Sequence, residues 1–264
     1  MKDSDSLLRC YQKTTKDLGL RIIKFRDNPD SDNVHDVRTT IRRLKALVDL
    51  FPKKIRKEKR FVEYISAYQK LFRSTTPIRD LDVVRISIGG HLKHSAATNL
   101  VSTIENEREH LLSNSLRFLE TVQDLKPPDL DKRKISEKKI VKRRDKIVKR
   151  LLAKLQEELP VLLSDSQKMR ELHDVRKECK RLRYTLELFP SRTNEDLVKI
   201  LEDWQTVLGK VRDIDVSEKF AARRGLSEDL GPALLELKIS RDKMLGAFYS
   251  KARLEETNLL SELT

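Results

Sequence analysis

Apolar residues recur every three or four positions along most of this chain, the spacing of amphipathic helices that bury one face. The pattern predicts helices near 6–27, 34–51, 55–73, 79–90 and 95–124. It breaks at LKPPDLDK, Leu125 to Lys132, and resumes with helices near 135–159, 168–189, 194–208, 211–224 and 227–261. Five elements, a Pro-Pro break and five more of similar length and order predict an internal duplication. The expected organisation is one unit over 1–264, with a first helical half over 1–124, a Pro-rich linker over 125–134 and a second half over 135–264.

Two stretches support the duplication. HDVRTTIRRLKALVDLFP, His35 to Pro52, aligns without a gap to HDVRKECKRLRYTLELFP, His173 to Pro190, and nine of the eighteen positions are identical. Further on, YQKLFRSTTPIRDLDV (Tyr68 to Val83) answers WQTVLGKVRDIDV (Trp204 to Val216), with three extra residues in the first copy.

At about 100° per residue, Arg38, Arg42 and Lys45 fall within about 80° of His35, and Val37, Ile41, Leu44, Val48 and Phe51 lie on the opposite arc. The second copy repeats this. His173, Arg176, Lys180 and Arg183 form the basic stripe, and Val175, Cys179, Leu182, Leu186 and Phe189 form the apolar face. Arg43 and Arg181 flank the stripes. A solvated charged face is the ordinary account of a basic helix. Here no acid interrupts either stripe before Asp49 and Glu187, and like charges at i+3 and i+4 repel. A stripe kept in both copies favours a binding face.

Composition sharpens the ligand class. The 264 residues carry 56 Lys+Arg against 42 Asp+Glu, a formal charge of +14, which attracts polyanions. Charged residues at 37% and hydrophobic ones at 38% suit charged amphipathic helices, hence an all-α protein. Cys10 and Cys179 form no disulfide framework and are expected as reduced core thiols. The first thirty residues hold no apolar signal core, and no run approaches the ~18 apolar residues of a membrane span. A cytoplasmic protein with no membrane partner is expected.

Phosphate suits the stripes. Arg offers a planar fork of donors to two oxygens, and Lys supplies a point charge. Side chains three or four residues apart on a helix lie ~5–6 Å from each other, close enough to grip successive anionic groups. A polyanion beside a His would raise its pKa and make both ring nitrogens donors.

The two HDVR helices, each followed by an RDxDV segment (Arg79 to Val83 and Arg212 to Val216), resemble the signature blocks of the CHAD family, the conserved-histidine α-helical domain. The resemblance covers nearly the whole chain. It implies two pseudo-twofold-related helical bundles enclosing a basic groove or channel that binds inorganic polyphosphate without catalysis. Carried over by motif, the binding residues are His35, Arg38, Arg42, Arg43 and Lys45 in the first block, and His173, Arg176, Lys180, Arg181 and Arg183 in the second. Arg79, Asp80, Asp82, Tyr184, Arg212, Asp213 and Asp215 would support them. No cofactor is implied, and association with polyphosphate granules fits this reading. The Gly that usually precedes RDxDV is Gly209 in the second copy, while the first has the longer RSTTP, Arg73 to Pro77, so different helix-to-helix turns are expected. Many relatives carry a fused triphosphate-tunnel domain with alternating Glu. ENERE, Glu105 to Glu109, ends in Glu and lies in a helix, so no such domain is expected.

Other readings compete. The RDxDV acids invite a metal, but i and i+2 do not share a helix face and each Asp has an Arg nearby. Capping a helix or holding basic side chains accounts for them better, and no metal site is expected. The His-Asp dipeptides suggest a metal-dependent phosphohydrolase, which needs further ligands. His91 and His94, which could share a helix face, and His110 have no second-half equivalents. Nucleic acid is the alternative polyanion. KRKISEKKIVKRRDKIVKR, Lys132 to Arg150, holds eleven Lys or Arg and would bind phosphate backbones nonspecifically. Tyr64, Phe72, Phe118 and Trp204 occupy core-like positions, which leaves no stacking platform for single strands.

Overall fold

The computed structural model describes residues 3–89, 94–164, 169–189 and 192–261, and every regular element among them is helical. The α-helices are α1 (Asp3–Asp27), α2 (Ser31–Leu50), the single turn α3 (Lys53–Arg56), α4 (Lys59–Gly89), α5 (His94–Glu120), α6 (Glu137–Ser164), α7 (Met169–Leu186), α8 (Arg192–Arg223) and α9 (Gly231–Ser261). A 3₁₀ turn covers Lys132–Lys134. The fold class is all-α, as the 3.6-residue periodicity predicts.

The chain divides into two compact units. The first comprises Met1–Arg85 and Thr98–Arg144, and the second comprises Ile86–Ala97 and Asp145–Thr264. The Pro-rich stretch 125–134 belongs to the first unit.

Local chemistry sets the ends of α2. Asp30 caps its first turn by accepting from the Asn33 backbone N–H at 2.7 Å. The helix stops at Leu50, with Phe51 extended, because Pro52 disfavours helical backbone in the residue before it. Its buried positions Val34, Val37, Ile41, Leu44 and Val48 form one apolar face. In α7 the same role falls to Leu172, Val175, Cys179, Leu182 and Leu186.

Two predicted breaks are not there. The periodicity predicts separate helices over 55–73 and 79–90, yet one helix, α4, runs through Pro77. Pro77 lacks the N–H that would bond the Arg73 carbonyl four residues back. In the turn ahead of it, the Thr75 and Thr76 hydroxyls donate to the Leu71 and Phe72 carbonyls at 2.9 Å each, and Arg38 also reaches the Phe72 carbonyl. Similarly 194–208 and 211–224 are one helix, α8, which passes through Gly209. A Cβ there would meet nothing within 4 Å, so this glycine makes neither a turn nor a close approach. Helix α6 likewise continues through Pro160 to Ser164, past its expected end. The expectation that the RDxDV acids cap helices fails for the same reason, since both segments lie in helix interiors.

In the first unit, the core centres on an aromatic cluster. Tyr11 and Phe51 meet edge to face at 5.7 Å, and Phe61 lies 6.0 Å from Tyr11. The second unit packs Leu151, Leu155 and Leu159 of α6 against Val175, Cys179 and Leu182 of α7, with Trp204, Leu208 and Phe248 from α8 and α9. Trp204 contacts Phe248 edge to face at 5.6 Å. Cys179 is fully buried and its thiol pKa is pushed up, first by that burial. Cys10 is only half-buried, which corrects its expected place in the core. Pro190, His91 and the side chain of His94 lie outside the described residues.

Candidate functional site

In the first unit the predicted stripe sits on α2, but its members differ in exposure. His35, Arg43 and Lys45 are exposed, Arg42 is half-buried, and Arg38 is only 7% exposed. Arg38 crosses to α4, where its Nη1 donates to the Phe72 carbonyl at 2.7 Å and to the Thr76 and Thr75 hydroxyls at 3.0 and 3.2 Å. Its guanidinium carbon lies 4.1 Å from the Phe72 ring centroid, and that of Arg42 lies 5.9 Å from it. Two guanidinium groups thus lie against one aromatic ring, whose negative quadrupole favours cations. Arg42 also donates to the Thr39 hydroxyl at 3.0 Å, and His35 Nε2 lies 3.3 Å from that same hydroxyl.

The RDxDV segment of α4 completes the surroundings. Burial, then the charges of Arg42 and Arg79, pull the Arg38 pKa down to about 10, and Asp80 opposes this. Arg38 remains a cation at neutral pH, in a neighbourhood richer in positive than in negative charge. Arg79 donates to the Ser31 hydroxyl at 3.2 Å, at the start of α2. Asp82 is fully buried and accepts from Arg108 Nε at 2.7 Å, while Arg108 Nη2 donates to the Pro29 carbonyl at 2.7 Å. Arg79 and Asp82 therefore fix α4 and α5 to the entry of α2. Asp36, the second residue of the HDVR motif, pairs with Arg21 and ties α2 to α1.

In the second unit α7 carries the repeated stripe. His173, Arg176 and Lys180 are half-buried and Arg181 is exposed. Burial, then Lys177, Arg212 and Arg176, push the His173 pKa below its ordinary value, and Asp174 opposes the shift. The RDxDV arginine is thus brought up to the HDVR histidine, just as Arg79 is brought up to Arg38. Arg212 also pairs with Asp215 at 2.8 Å, and Lys219 reaches the same carboxylate oxygen at 2.9 Å. Asp213 is half-buried.

The last stripe residue, Arg183, is 8% exposed and faces acids. Its Nη1 lies 2.9 Å from Glu202, its Nε lies 3.4 Å from Glu187, and its guanidinium carbon is 5.1 Å from the buried Tyr184 ring. Arg181 and Lys154 each lie 3.3 Å from Oε1 of Glu178, which is itself 5% exposed. By the alignment of Tyr68 with Trp204, Phe72 corresponds to Leu208, a residue buried in the second core. No equivalent aromatic platform is available to Arg176 at that position.

Sequence reasoning did not single out Arg108, Glu178 or Glu202 as partners. Their signal is absent from either repeat block, because each is supplied by a position that the helical spacing alone does not connect to the stripe. Among the described residues no group of three His, Cys, Asp or Glu is placed to hold a metal ion. No helix among them is long and apolar enough to cross a membrane.

These features define a class of helical protein in which each of two units carries a basic HDVR helix buttressed by an RDxDV segment. The family model of the CHAD domain matches residues 12–222, and the chain belongs to that family. Its fold is similar to that of the CHAD domain from the plant Ricinus communis, known from a crystal structure. The TM-score is 0.61 at 15% identity, over 99% of this chain and 90% of that one. No curated protein matches the chain.

Proposed function

We propose that the protein binds inorganic polyphosphate without chemically altering it, through the basic faces of α2 and α7. The observation that carries this reading is the crowding of like charge. Beyond the larger effect of burial, Arg42 and Arg79 are near enough to depress Arg38, against Asp80 alone among the causes that raise it. At His173, burial acts first, and Lys177, Arg212 and Arg176 add to it against Asp174. Concentrated positive charge that lowers the pKa of its own members is relieved by an anion, and an unbranched chain of phosphates supplies many at close spacing.

Within each face the roles divide by exposure. His35, Arg43 and Lys45, with half-buried Arg42, would contact phosphate oxygens in the first unit. His173, Arg176, Lys180 and Arg181 would do so in the second. Arg38 and Arg183, committed to α4 and to Glu202, would set the helix positions and add their charge at longer range. Arg79, Asp80, Asp82, Tyr184, Arg212, Asp213 and Asp215 would support these contacts. A protein with this property would gather where polyphosphate accumulates, including cytoplasmic granules.

The test is competition at near-physiological salt, with labelled long-chain polyphosphate displaced by unlabelled polyphosphate, RNA or duplex DNA at matched phosphate concentration. Preferential displacement by polyphosphate is expected, with affinity reduced at least tenfold in the combined variant Arg42→Ala, Lys45→Ala, Arg176→Ala, Lys180→Ala. Equal displacement by RNA would make the protein a general polyanion binder. Hydrolysis of the polymer during the assay would overturn the non-catalytic reading.

A further inference from the structure

A second concentration of positive charge, carried by residues outside the α2 stripe, lies within the first unit. Two segments far apart in sequence run beside one another there. At one end Lys134 pairs with Glu58 at 3.3 Å, and at the other Arg143 donates to the Asp49 carbonyl. Residues 134–143, which include the start of α6, are thereby aligned with residues 49–58, which include α3. The α3 side is held firmly. Ile55 is 2% exposed in the core, and Arg56 donates to the Phe51 carbonyl at 3.0 Å.

Each segment presents a row of lysines to solvent. Lys53, Lys54 and Lys57 belong to the α3 segment, and Lys138, Lys139 and Lys142 to α6; all six are exposed. None of their ammonium groups has an ion-pair partner among the described residues. Apart from Asp49, whose side chain is exposed, acids in the region are already engaged. Glu58 is taken by Lys134, Asp131 by Arg133, and Asp5 by Lys132, while Glu137 accepts from the Asp3 and Ser4 backbone N–H groups at the start of α1. The surface thus carries uncompensated charge in two dimensions, on a scaffold fixed by buried contacts.

We propose that this two-row lysine surface binds the backbone of duplex nucleic acid independently of sequence. Neighbouring packed helices lie about 8–10 Å apart, so cations from two adjacent segments can address phosphates on both strands flanking a groove. A single chain needs only one such row, whereas the paired strands of a duplex use both. Lysine supplies charge without the planar fork that reads base edges, which suits contacts that position a backbone and do not specify sequence. The region offers no exposed ring for stacking, since Phe51, Phe61 and Tyr11 are all buried, and this disfavours single strands. A lipid surface is disfavoured as well. The apolar side chains here, Ile55 and Ile140, are buried and have nothing to insert into a bilayer.

The experiment uses the full chain and a labelled duplex DNA of arbitrary sequence, titrated at several salt concentrations. Six phosphate contacts predict a slope of log K against log salt near about −5, a loss of roughly a thousandfold between 50 and 200 mM. Replacing all six lysines with Gln should weaken duplex binding at least tenfold and flatten the slope, while circular dichroism stays native and polyphosphate affinity changes less than threefold. The α2/α7 variant described above should behave in reverse, losing polyphosphate and keeping the duplex. The two readings therefore fail separately. Absence of duplex binding, duplex binding insensitive to the six substitutions, or loss of binding to phosphatidylserine vesicles in a protein that ignores DNA would each overturn the inference.

Discussion

Arg38 Nη1 donates to the Phe72 carbonyl oxygen at 2.7 Å while its guanidinium lies 4.1 Å from the centroid of the same residue's ring. One residue of α4 thus receives an α2 arginine through both its backbone and its side chain, five residues before Pro77. The contact joins a basic helix to the segment that carries Arg79 and Asp80. Its chemistry is structural as much as electrostatic, because Arg38 is nearly buried.

Arg38→Ala should therefore destabilise the fold before it tells anything about ligand. It removes a charged donor to three oxygens and a cation from an aromatic face, with an expected cost of about 2–4 kcal/mol. Arg38→Lys keeps the charge, but a single ammonium cannot both stack on the ring and serve three oxygens, so it should recover less than half of the loss. Arg43→Ala, exposed on the same helix, should change stability by less than about 0.5 kcal/mol. Urea unfolding of the three variants checks the order. Similar midpoints for Arg38→Ala and Arg43→Ala would show that the α2–α4 contact contributes nothing.

The two RDxDV segments look interchangeable as sequence and are not so as structure. Asp82 has no exposed surface and pairs with Arg108, whose side chain is 17% exposed, whereas Asp215 keeps 17% exposure and shares Arg212 and Lys219. Deleting one member of a buried pair strands the other charge, at about 3–5 kcal/mol. A partly solvated pair is worth about 0–1 kcal/mol. Asp82→Ala should lower stability by several-fold more than Asp215→Ala, and the double replacement Asp82→Leu with Arg108→Met should recover part of the loss. Thermal unfolding of the three proteins reads the difference directly, and equal shifts for the two alanine variants would contradict it.

Gly209 provides a test in the stabilising direction. It lies in the interior of α8 with open space where a Cβ would go, and its backbone does not take the positive φ found at Gly225. Helix interiors favour Ala over Gly by about 0.5–1 kcal/mol. Gly209→Ala should raise stability by that amount, with no loss of polyphosphate affinity. A destabilised protein would mean that α8 needs a bend at this point.

Much of this was legible in the sequence. The apolar faces of the HDVR helices fall where 3.6-residue spacing puts them, because Val37, Ile41, Leu44 and their counterparts Val175, Cys179 and Leu182 answer to local periodicity. Helix continuity was not legible. Pro77 and Gly209 are breakers by propensity, yet α4 and α8 run through them. Thr75, Thr76 and Arg38 donate to the Leu71 and Phe72 carbonyls in the turn ahead of the proline, and two of those three lie within the RSTTP stretch that reads as a turn. Burial of Arg38 and Arg183 was equally hidden. A helical wheel assigns an angle to each cation, but only the neighbouring helix determines whether that angle meets water, Phe72 or Glu202.

His173 links the proposed ligand to pH. Its pKa is lowered in the free protein by burial and by Lys177 and Arg176 on α7 and Arg212 on α8, with Asp174 on α7 opposing. The unfolded chain, near the ordinary value of about 6.5, takes up a proton that the folded residue resists. Stability from this residue is therefore complete above that value and declines as pH falls through it toward the folded pKa. Bound polyphosphate acts in the other direction, since its charge favours the protonated ring. Complex formation should take up protons, and affinity should increase as pH drops from about 7.5 to 5.5. His173→Gln should flatten that dependence and remove its share of the acid sensitivity of the free protein. Isothermal titration in two buffers of different ionisation enthalpy measures the proton uptake. Affinity that is constant or rises with pH would mean that the HDVR histidine of α7 does not sense the bound anion.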